Sequence, residues 1–274
     1  MSGQSKTQLI DWDDAFDNSG YVPEAEALLA RWLVGAAEFR ERRHASGQAD
    51  LDQVYGSHPR QAYDLFHPPA DAKGTVIFVH GGYWHMRGKS DWSHLFEDFI
   101  HKGWSVAVVG YPLAPDVSIS EITKSVAAAV SEVAKRDETP IRLVGHSAGG
   151  HLVTRMLGVG VLDPNLIDRI KRVVAVSGVF DLRPLLSTKM NEQLNLTVHE
   201  ADAESPLLHP ICDVPVTFWV GTEERPEFLR QNRLAAERFA GPKTSSVYAE
   251  GRNHFTVLQD FIESPNLLVQ EVLR

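Results

Sequence analysis

The amino-acid sequence predicts an α/β fold in which helices flank a mainly parallel central sheet. Short runs of β-branched and aliphatic residues alternate along the chain with segments of helical periodicity, which is the pattern of successive βαβ units. A serine flanked by glycines, in Gly145–Gly149, stands where one predicted strand passes into a helix. A pair of glycines, Gly81 and Gly82, directly follows an earlier predicted strand. Together these observations favour an enzyme site at the strand ends of such a sheet.

The composition is that of a globular protein with a substantial core. The chain has 274 residues, of which 43% are hydrophobic, and we predict one domain over residues 1–274. The formal net charge of −9 argues against nucleic acid or an anionic membrane as the main partner. The single cysteine, Cys212, excludes an internal disulfide framework. Residues 1–20 contain four aspartates and no apolar stretch, so we expect a cytoplasmic protein with no membrane partner.

The first predicted element is a helix from Pro23 to His44, within an N-terminal helical extension over residues 1–50. Its apolar residues fall on one stripe, formed by Leu29, Leu33, Ala36 and Phe39. We expect this stripe to pack on the main body. The arginine-rich end of the helix, residues 40–43, is predicted to be a solvated last turn.

The predicted strands are short, apolar and spread along the chain. They cover residues 61–67, 75–80, 104–110, 141–144, 172–179, 216–220 and, more weakly, 246–249. Helical patterns lie between them at residues 95–100, 119–135 and 150–157, and a terminal helix is expected after residue 255. Strands that alternate with helices in this way imply crossover connections and a mainly parallel sheet.

The apolar period breaks down between Phe180 and Asp213. We interpret residues 181–213 as an insertion of short helices that forms a small cap over the site. Long insertions in compact domains are commonly functional, which favours this interpretation. The alternative is a plain surface excursion.

Ser147 is the predicted nucleophile. It lies in Gly145-His146-Ser147-Ala148-Gly149, which fits the GxSxG pattern of a nucleophile elbow. Such an elbow holds the serine on a strained turn that lifts its hydroxyl clear of the sheet. Glycines are needed two residues before and after the serine, because a Cβ at either position would crowd the turn.

The glycine pair after the strand at residues 75–80 predicts a second part of the site, an oxyanion hole. Amides left unpaired by such a turn can point at a developing oxyanion. The α/β-hydrolase plan combines an amide of this loop with the amide after the nucleophile, here that of Ala148. The pair precedes the elbow by about sixty residues, as that plan requires.

A serine nucleophile needs a base within hydrogen-bond reach and an acid that holds the tautomer of the base. The expected chain order is serine, acid, histidine. We predict His254 as the base, because it lies in a polar turn after the last strand candidate. His151 is interpreted as a packing residue beside the elbow, and His199 and His209 are weaker candidates in the predicted cap.

Glu224 is the predicted acid, because a few residues beyond the strand at 216–220 are needed to turn a carboxylate toward the histidine. Its neighbour Glu223 is the second candidate. Asp181, which follows the preceding strand candidate, is the third.

At these residues the sequence resembles the kynurenine formamidase group of α/β hydrolases, a branch related to hormone-sensitive-lipase-type esterases. The matching stretches span most of the chain and are His80–Trp84, Lys89–Asp91, Gly145–His151, Gly178–Leu182, Pro226–Phe228 and Asn253–Phe255. The resemblance implies that Ser147 is the nucleophile and His254 the base. It also implies an oxyanion hole formed by the amides around Gly81, Gly82, Tyr83 and Ala148.

One position departs from the pattern of that group. Where the group usually has an aspartate before its Ser-Pro-Glu-Phe-like segment, this chain has Glu224 before Arg225-Pro226-Glu227-Phe228. A glutamate can serve as the acid, since its arm is longer and its carboxyl has a similar pKa.

The function that the resemblance implies is hydrolysis of an aryl formamide, such as N-formylkynurenine, through an acyl-enzyme, with no cofactor and no metal. Tyr83 and Trp84 are candidates for stacking on the aromatic ring of the substrate, and the alternative for Trp84 is packing beneath the turn. The expected partner is a small-molecule formamide or ester, and a homodimer is one oligomeric state to test.

Other functions remain open at this point. A carboxylesterase for small acyl or aryl esters would use the same three residues, and so would a thioesterase, although no basic patch for a phosphorylated carrier stands out. A metal-dependent hydrolase would need a histidine-rich ligand motif that the sequence lacks. A non-catalytic receptor on a hydrolase scaffold typically loses the base or the nucleophile, whereas Ser147, Glu224 and His254 are all present.

Overall fold

An eight-stranded sheet forms the centre of the structure, a computed structural model that describes residues 10–274. The strands are β1 (Ala49–Val54), β2 (Ala62–Phe66), β3 (Thr75–Val79), β4 (Ser105–Val109), β5 (Ile141–His146), β6 (Ile170–Val176), β7 (Val216–Gly221) and β8 (Thr244–Ala249). Their order in the sheet is β1-β2-β4-β3-β5-β6-β7-β8. Strand β2 is antiparallel to β1 and β4, and the other pairs are parallel. The predicted mainly parallel sheet is confirmed.

Ten helices of the described chain flank the sheet. They are α1 (Trp12–Phe16), α2 (Ala25–Ala45), α3 (Glu97–His101), α4 (Ile119–Ala134), α5 (Ala148–Arg155), α6 (Pro164–Arg169), α7 (Asn191–Leu194), α8 (Val198–Glu204), α9 (Pro226–Arg238) and α10 (Leu267–Leu273). The sheet separates two apolar cores: α4, α5 and α9 pack in one, and α2 and α10 pack in the other. None of the helices within residues 10–274 is both long and apolar enough to cross a bilayer.

Strand β1 has no counterpart among the predicted strands. It lies at the edge of the sheet, pairs with β2 alone and is interrupted by an irregularity between Asp50 and Gln53. Its sequence, Ala-Asp-Leu-Asp-Gln-Val, is half polar, and half-exposed edge strands need no apolar alternation to form. The pattern of side chains therefore carried no signal for it.

Helix α2 confirms the predicted N-terminal helix, but its buried stripe is shifted along the sequence. The buried side chains are those of Ala25, Leu28, Trp32, Ala36, Phe39 and Arg43, whereas Leu33 is 43% exposed. Trp32 sets this rotation, because its ring packs against Trp92 with centroids 5.7 Å apart. Residues 1–9 of the predicted N-terminal extension lie outside the described residues.

The arginine-rich end of α2 is not the solvated turn that we expected. Arg43 is buried, with its guanidinium 5.3 Å from the ring centroid of Phe39. Arg40 forms an ion pair with Asp64 of β2, a carboxylate with no solvent exposure that also accepts a 2.6 Å hydrogen bond from Lys89. A buried carboxylate requires such partners, so the last turns of α2 are tied to the sheet rather than to solvent.

Candidate active site

Ser147 occupies a strained turn between β5 and α5. Its backbone has φ 55° and ψ −119°, a conformation that residues other than glycine rarely adopt. The amide of Ser147 donates to the carbonyl of Val176 at 2.8 Å, which holds the turn against the next strand. A Cβ on Gly145 would overlap the carbonyl of Gly149, and one on Gly149 would overlap the carbonyl of Val79. The steric need for both glycines is therefore confirmed.

Ser147 lines a small cavity of about 60 Å³. The walls come from the N-terminal segment, the loop after β3, the elbow and the loop after β8, and include Asn18, Leu29, Tyr83, Trp92, His146 and Phe255. The serine itself is buried, with 3% of its surface exposed.

The segment 181–213 forms short helices, as expected, but it does not cover this cavity. Within the described chain, no residue of the segment lines it. Helix α8 of the segment instead packs against α4 and behind α5, where Glu200 accepts the amide of Ser120 at 2.9 Å. The expectation of a cap over the site is corrected: Asn18, Ser19 and Leu29 of the N-terminal segment line the cavity instead.

His254 and Glu224 form a buried pair at the cavity. His254 lies in the loop after β8, and its Nδ1 is 2.7 Å from Oε2 of Glu224, which follows β7. The other carboxylate oxygen accepts the amide of Gly221 at 2.9 Å and the hydroxyl of Ser177. With Nδ1 donating to the carboxylate, Nε2 is the nitrogen left to accept a proton.

Glu224 is the one of the three predicted acids that contacts His254. Glu223 is exposed to solvent. Both oxygens of Asp181 are taken by Arg183, at 2.8 and 2.9 Å. Burial alone would raise the pKa of the Asp181 carboxyl, but the Arg183 guanidinium holds that pKa below its usual value.

The loop after β3 is a tight turn that lies against the elbow. Gly82, Tyr83 and Trp84 all have positive φ, at 117°, 49° and 60°, and turns of this kind bring successive amides to one side. A Cβ on Gly81 would lie 3.0 Å from the Cβ of Ser147, so this loop touches the elbow directly. Among the hydrogen bonds of residues 10–274, none uses the amide of Gly82 or Tyr83 as donor. These amides, with that of Ala148 at the start of α5, are free to bind an oxyanion.

Trp84 does not line the cavity beside Ser147, so the structure does not place it where the prediction of ring stacking on a substrate requires. Its side chain has no solvent exposure, and its Nε1 donates to Nδ1 of His151 at 3.1 Å. The Nε2 of His151 in turn donates to the carbonyl of Glu204 at 2.8 Å. Packing beneath the turn, the alternative interpretation, is what the structure shows for Trp84, and His151 has the packing position predicted for it.

The sequence indicated neither Ser177 nor His146 as part of the site. Ser177 directly follows β6, has φ 52°, and its hydroxyl donates to the Glu224 carboxylate. His146 occupies the variable position of the elbow, and its Nε2 is 2.9 Å from the backbone carbonyl of His254. A polar residue at the end of the strand beside the acid is the one signal that could have indicated Ser177.

Several histidines of the described chain are buried as neutral rings. Burial lowers the pKa of His80 to about 3 and the pKa of His151 and His94 to about 4, and it places that of His146 well below its usual value. Three of these rings, those of His80, His146 and His151, surround the elbow and the loop after β3.

These buried histidines predict a loss of stability in mild acid. Histidine side chains of the unfolded chain titrate near pH 6.5. Below that pH they bind protons in the unfolded state, whereas the buried histidines of the folded state stay neutral. The free energy of unfolding is therefore unaffected by these histidines above about pH 6.5. As the pH falls from there toward their folded-state pKa values, it decreases by up to about 1.4 kcal/mol per pH unit for each buried histidine. We expect the calorimetric unfolding midpoint to drop steeply between pH 7 and pH 5. His94→Gln should flatten this slope, whereas the exposed control His199→Gln should not, and equal slopes would contradict the prediction.

No group of three histidine, cysteine, aspartate or glutamate side chains within residues 10–274 is arranged to hold a metal ion.

Known proteins share this arrangement of sequence and fold. A family described as alpha/beta hydrolase fold matches residues 76–257. The chain is 30% identical over 250 residues to a kynurenine formamidase of Danio rerio, covering 85% of this chain and 84% of that one. It is 29% identical over 267 residues to a kynurenine formamidase of Salmo salar, covering 91% and 90%. A crystal structure from Silicibacter sp. TM1040, of a protein named as a proposed thioesterase, is 41% identical with a TM-score of 0.92 and covers 97% of this chain and 100% of that chain. The chain is thus a hydrolase of the α/β-hydrolase family and belongs to the branch that contains the kynurenine formamidases.

Proposed function

We propose that the protein is an arylformamidase, a serine hydrolase that cleaves an aryl formamide such as N-formylkynurenine to an arylamine and formate. The observation that carries the proposal is the buried His254–Glu224 pair beside Ser147 in a cavity of about 60 Å³. Relatives named kynurenine formamidase, matched over most of the chain, support the same substrate class.

In this mechanism the Ser147 hydroxyl attacks the formyl carbon while Nε2 of His254 takes its proton. The Glu224 carboxylate stabilises the imidazolium, and the amides of Gly82, Tyr83 and Ala148 bind the oxyanion. The carbon–nitrogen bond then breaks as His254 returns the proton to the arylamine nitrogen. Water, deprotonated by His254, attacks the formyl ester, and His254 then returns this proton to the Ser147 oxygen as formate leaves.

The size of the cavity supports a very small acyl group. Ligand pockets commonly have volumes of about 300–1,000 Å³. The cavity beside Ser147 is much smaller, at about 60 Å³. A formyl group has no carbon substituent to place against Trp92 and Leu29, whereas a longer acyl chain would meet these walls. The arylamine would lie at the mouth, beside the half-buried rings of Tyr83 and Phe255.

Hydrolysis of a small ester or thioester is the second candidate function. The same three side chains would serve it, and the 41% identical structure carries the name of a proposed thioesterase. A receptor without catalysis is the third and weakest candidate, because the nucleophile, base and acid are all in place.

The test is a comparison of kcat/KM for N-formylkynurenine, p-nitrophenyl acetate and p-nitrophenyl butyrate with the purified protein. We expect the formamide to be the preferred substrate and the butyrate to be slower than the acetate, since its acyl chain exceeds the cavity. Ester hydrolysis without formamide hydrolysis would replace the proposal by the esterase, and no turnover of any substrate would favour the receptor.

We also propose a cytoplasmic location and a small-molecule partner in place of nucleic acid. The formal net charge of −9 supports the second point, because it repels polyanions. The homodimer stays a prediction, which light scattering of the purified protein would test.

A further inference from the structure

Asn18 carries a buried acceptor that has no partner. The residue lines the cavity beside Ser147 and is 3% exposed. Its Nδ2 donates to the hydroxyl of Tyr83 at 2.7 Å, and that hydroxyl donates to the carbonyl of Phe16 at 2.6 Å. Within residues 10–274, Oδ1 of Asn18 accepts no hydrogen bond.

The orientation of this amide follows from its neighbour. The one proton of the Tyr83 hydroxyl is directed to Phe16, so the hydroxyl can only accept from Asn18. Rotating the amide would leave the single hydroxyl proton to serve two acceptors, Oδ1 of Asn18 and the carbonyl of Phe16, so one of them would lose its hydrogen bond. The oxygen is therefore the free end of the Asn18 side chain.

Buried acceptors are almost always paired, so an unpaired one in the wall of a cavity calls for a donor that enters the cavity. The segment that carries Asn18 is firmly held: Asp14 forms an ion pair with Arg225, and Asp13 accepts the amide of Lys189 at 2.6 Å. The unpaired oxygen is thus positioned before a substrate enters.

We infer that Oδ1 of Asn18 accepts a hydrogen bond from the N–H of the scissile formamide and so determines specificity for an amide over an ester. This inference rests on the proposed function. When the tetrahedral intermediate collapses, the nitrogen directs its lone pair at the proton on His254, so its own N–H points elsewhere. In a cavity of about 60 Å³, an N–H that points at the buried wall requires an acceptor there. An ester oxygen carries no hydrogen and therefore needs no acceptor at this position.

The other polar groups of the cavity wall do not fill this role. Arg87 and Trp92 can only donate. The free Nδ1 of His146 lies against the backbone of Gly81, where an added Cβ would be 3.1 Å from it. Ser19 is exposed, and the Tyr83 hydroxyl is already paired with Asn18 and Phe16, so the unpaired Oδ1 of Asn18 is the acceptor that we assign.

The test compares three substrates: formanilide, N-methylformanilide, which lacks the N–H, and p-nitrophenyl acetate. Asn18→Leu keeps the size of the side chain and removes the acceptor. We expect it to lower kcat/KM for formanilide by about tenfold more than for either of the other two substrates, the scale of one hydrogen bond. The control Asp17→Asn alters an exposed neighbour outside the cavity wall and should keep the wild-type ratios.

Unfolding midpoints show whether the variant is folded. If Asn18→Leu does not fold, Asn18→Asp retains an acceptor oxygen and should keep the preference for formanilide over N-methylformanilide, even if absolute rates fall. Equal losses on all three substrates with Asn18→Leu, or loss of the preference with Asn18→Asp, would overturn the inference while leaving the arylformamidase intact. A wild-type protein that hydrolyses no formamide would overturn both.

Discussion

Replacing Ser147 with alanine is expected to lower kcat/KM for formamide and ester substrates alike by about a million-fold, the scale reached when a serine nucleophile is removed from enzymes of this mechanism. The variant has no atom with which to form the acyl-enzyme. Turnover of N-formylkynurenine and p-nitrophenyl acetate in parallel assays measures the effect.

The fold should tolerate this change. Alanine has the same Cβ as serine, so the strain of the positive φ at residue 147 is unchanged. The unfolding midpoint serves as the control and should stay close to that of the wild type. Substantial activity in a preparation free of other hydrolases would refute the serine mechanism.

Glu224→Gln is the second large effect that we expect, with a loss in kcat of about 10⁴-fold. The amide removes the negative charge that stabilises the imidazolium. Its NH₂ group would also face either Nδ1 of His254 or the donors Gly221 and Ser177, so one set of hydrogen bonds is lost. The measurement is kcat with saturating formamide.

The neighbouring residue offers a matched control. Glu223→Gln makes the same chemical change one position earlier, on an exposed side chain, and should alter kcat by less than about twofold. A larger loss at Glu223 than at Glu224, or equal losses at both, would reject Glu224 as the acid.

Much of the fold could be predicted because local patterns report local constraints. The strands β3, β4 and β7 are buried along their whole length, so each appears in the sequence as a continuous apolar run. Strand β1 has one solvent-facing edge and a polar sequence, so no pattern marked it. The rotation of α2 could not be predicted either, because the contact between Trp32 and Trp92 joins residues far apart in the chain.

The candidate site divides in the same way. The sequence by itself determined the elbow, because a Cβ at Gly145 or Gly149 would overlap the neighbouring backbone. It also indicated His254 and Glu224, because parallel strands bring their carboxyl ends to one edge of the sheet. Whether Glu223 or Glu224 contacts the histidine could not be predicted, because these residues are adjacent and the conformation of the loop after β7 decides between them.

Only the tertiary structure decided what encloses Ser147. It buried Trp84 beneath the loop after β3, moved the helices of residues 181–213 away from the cavity, and brought Asn18 to Tyr83, 65 residues further along the chain. Contacts across such separations depend on how whole layers pack together. Periodicity and spacing, which describe one segment at a time, contain no record of them.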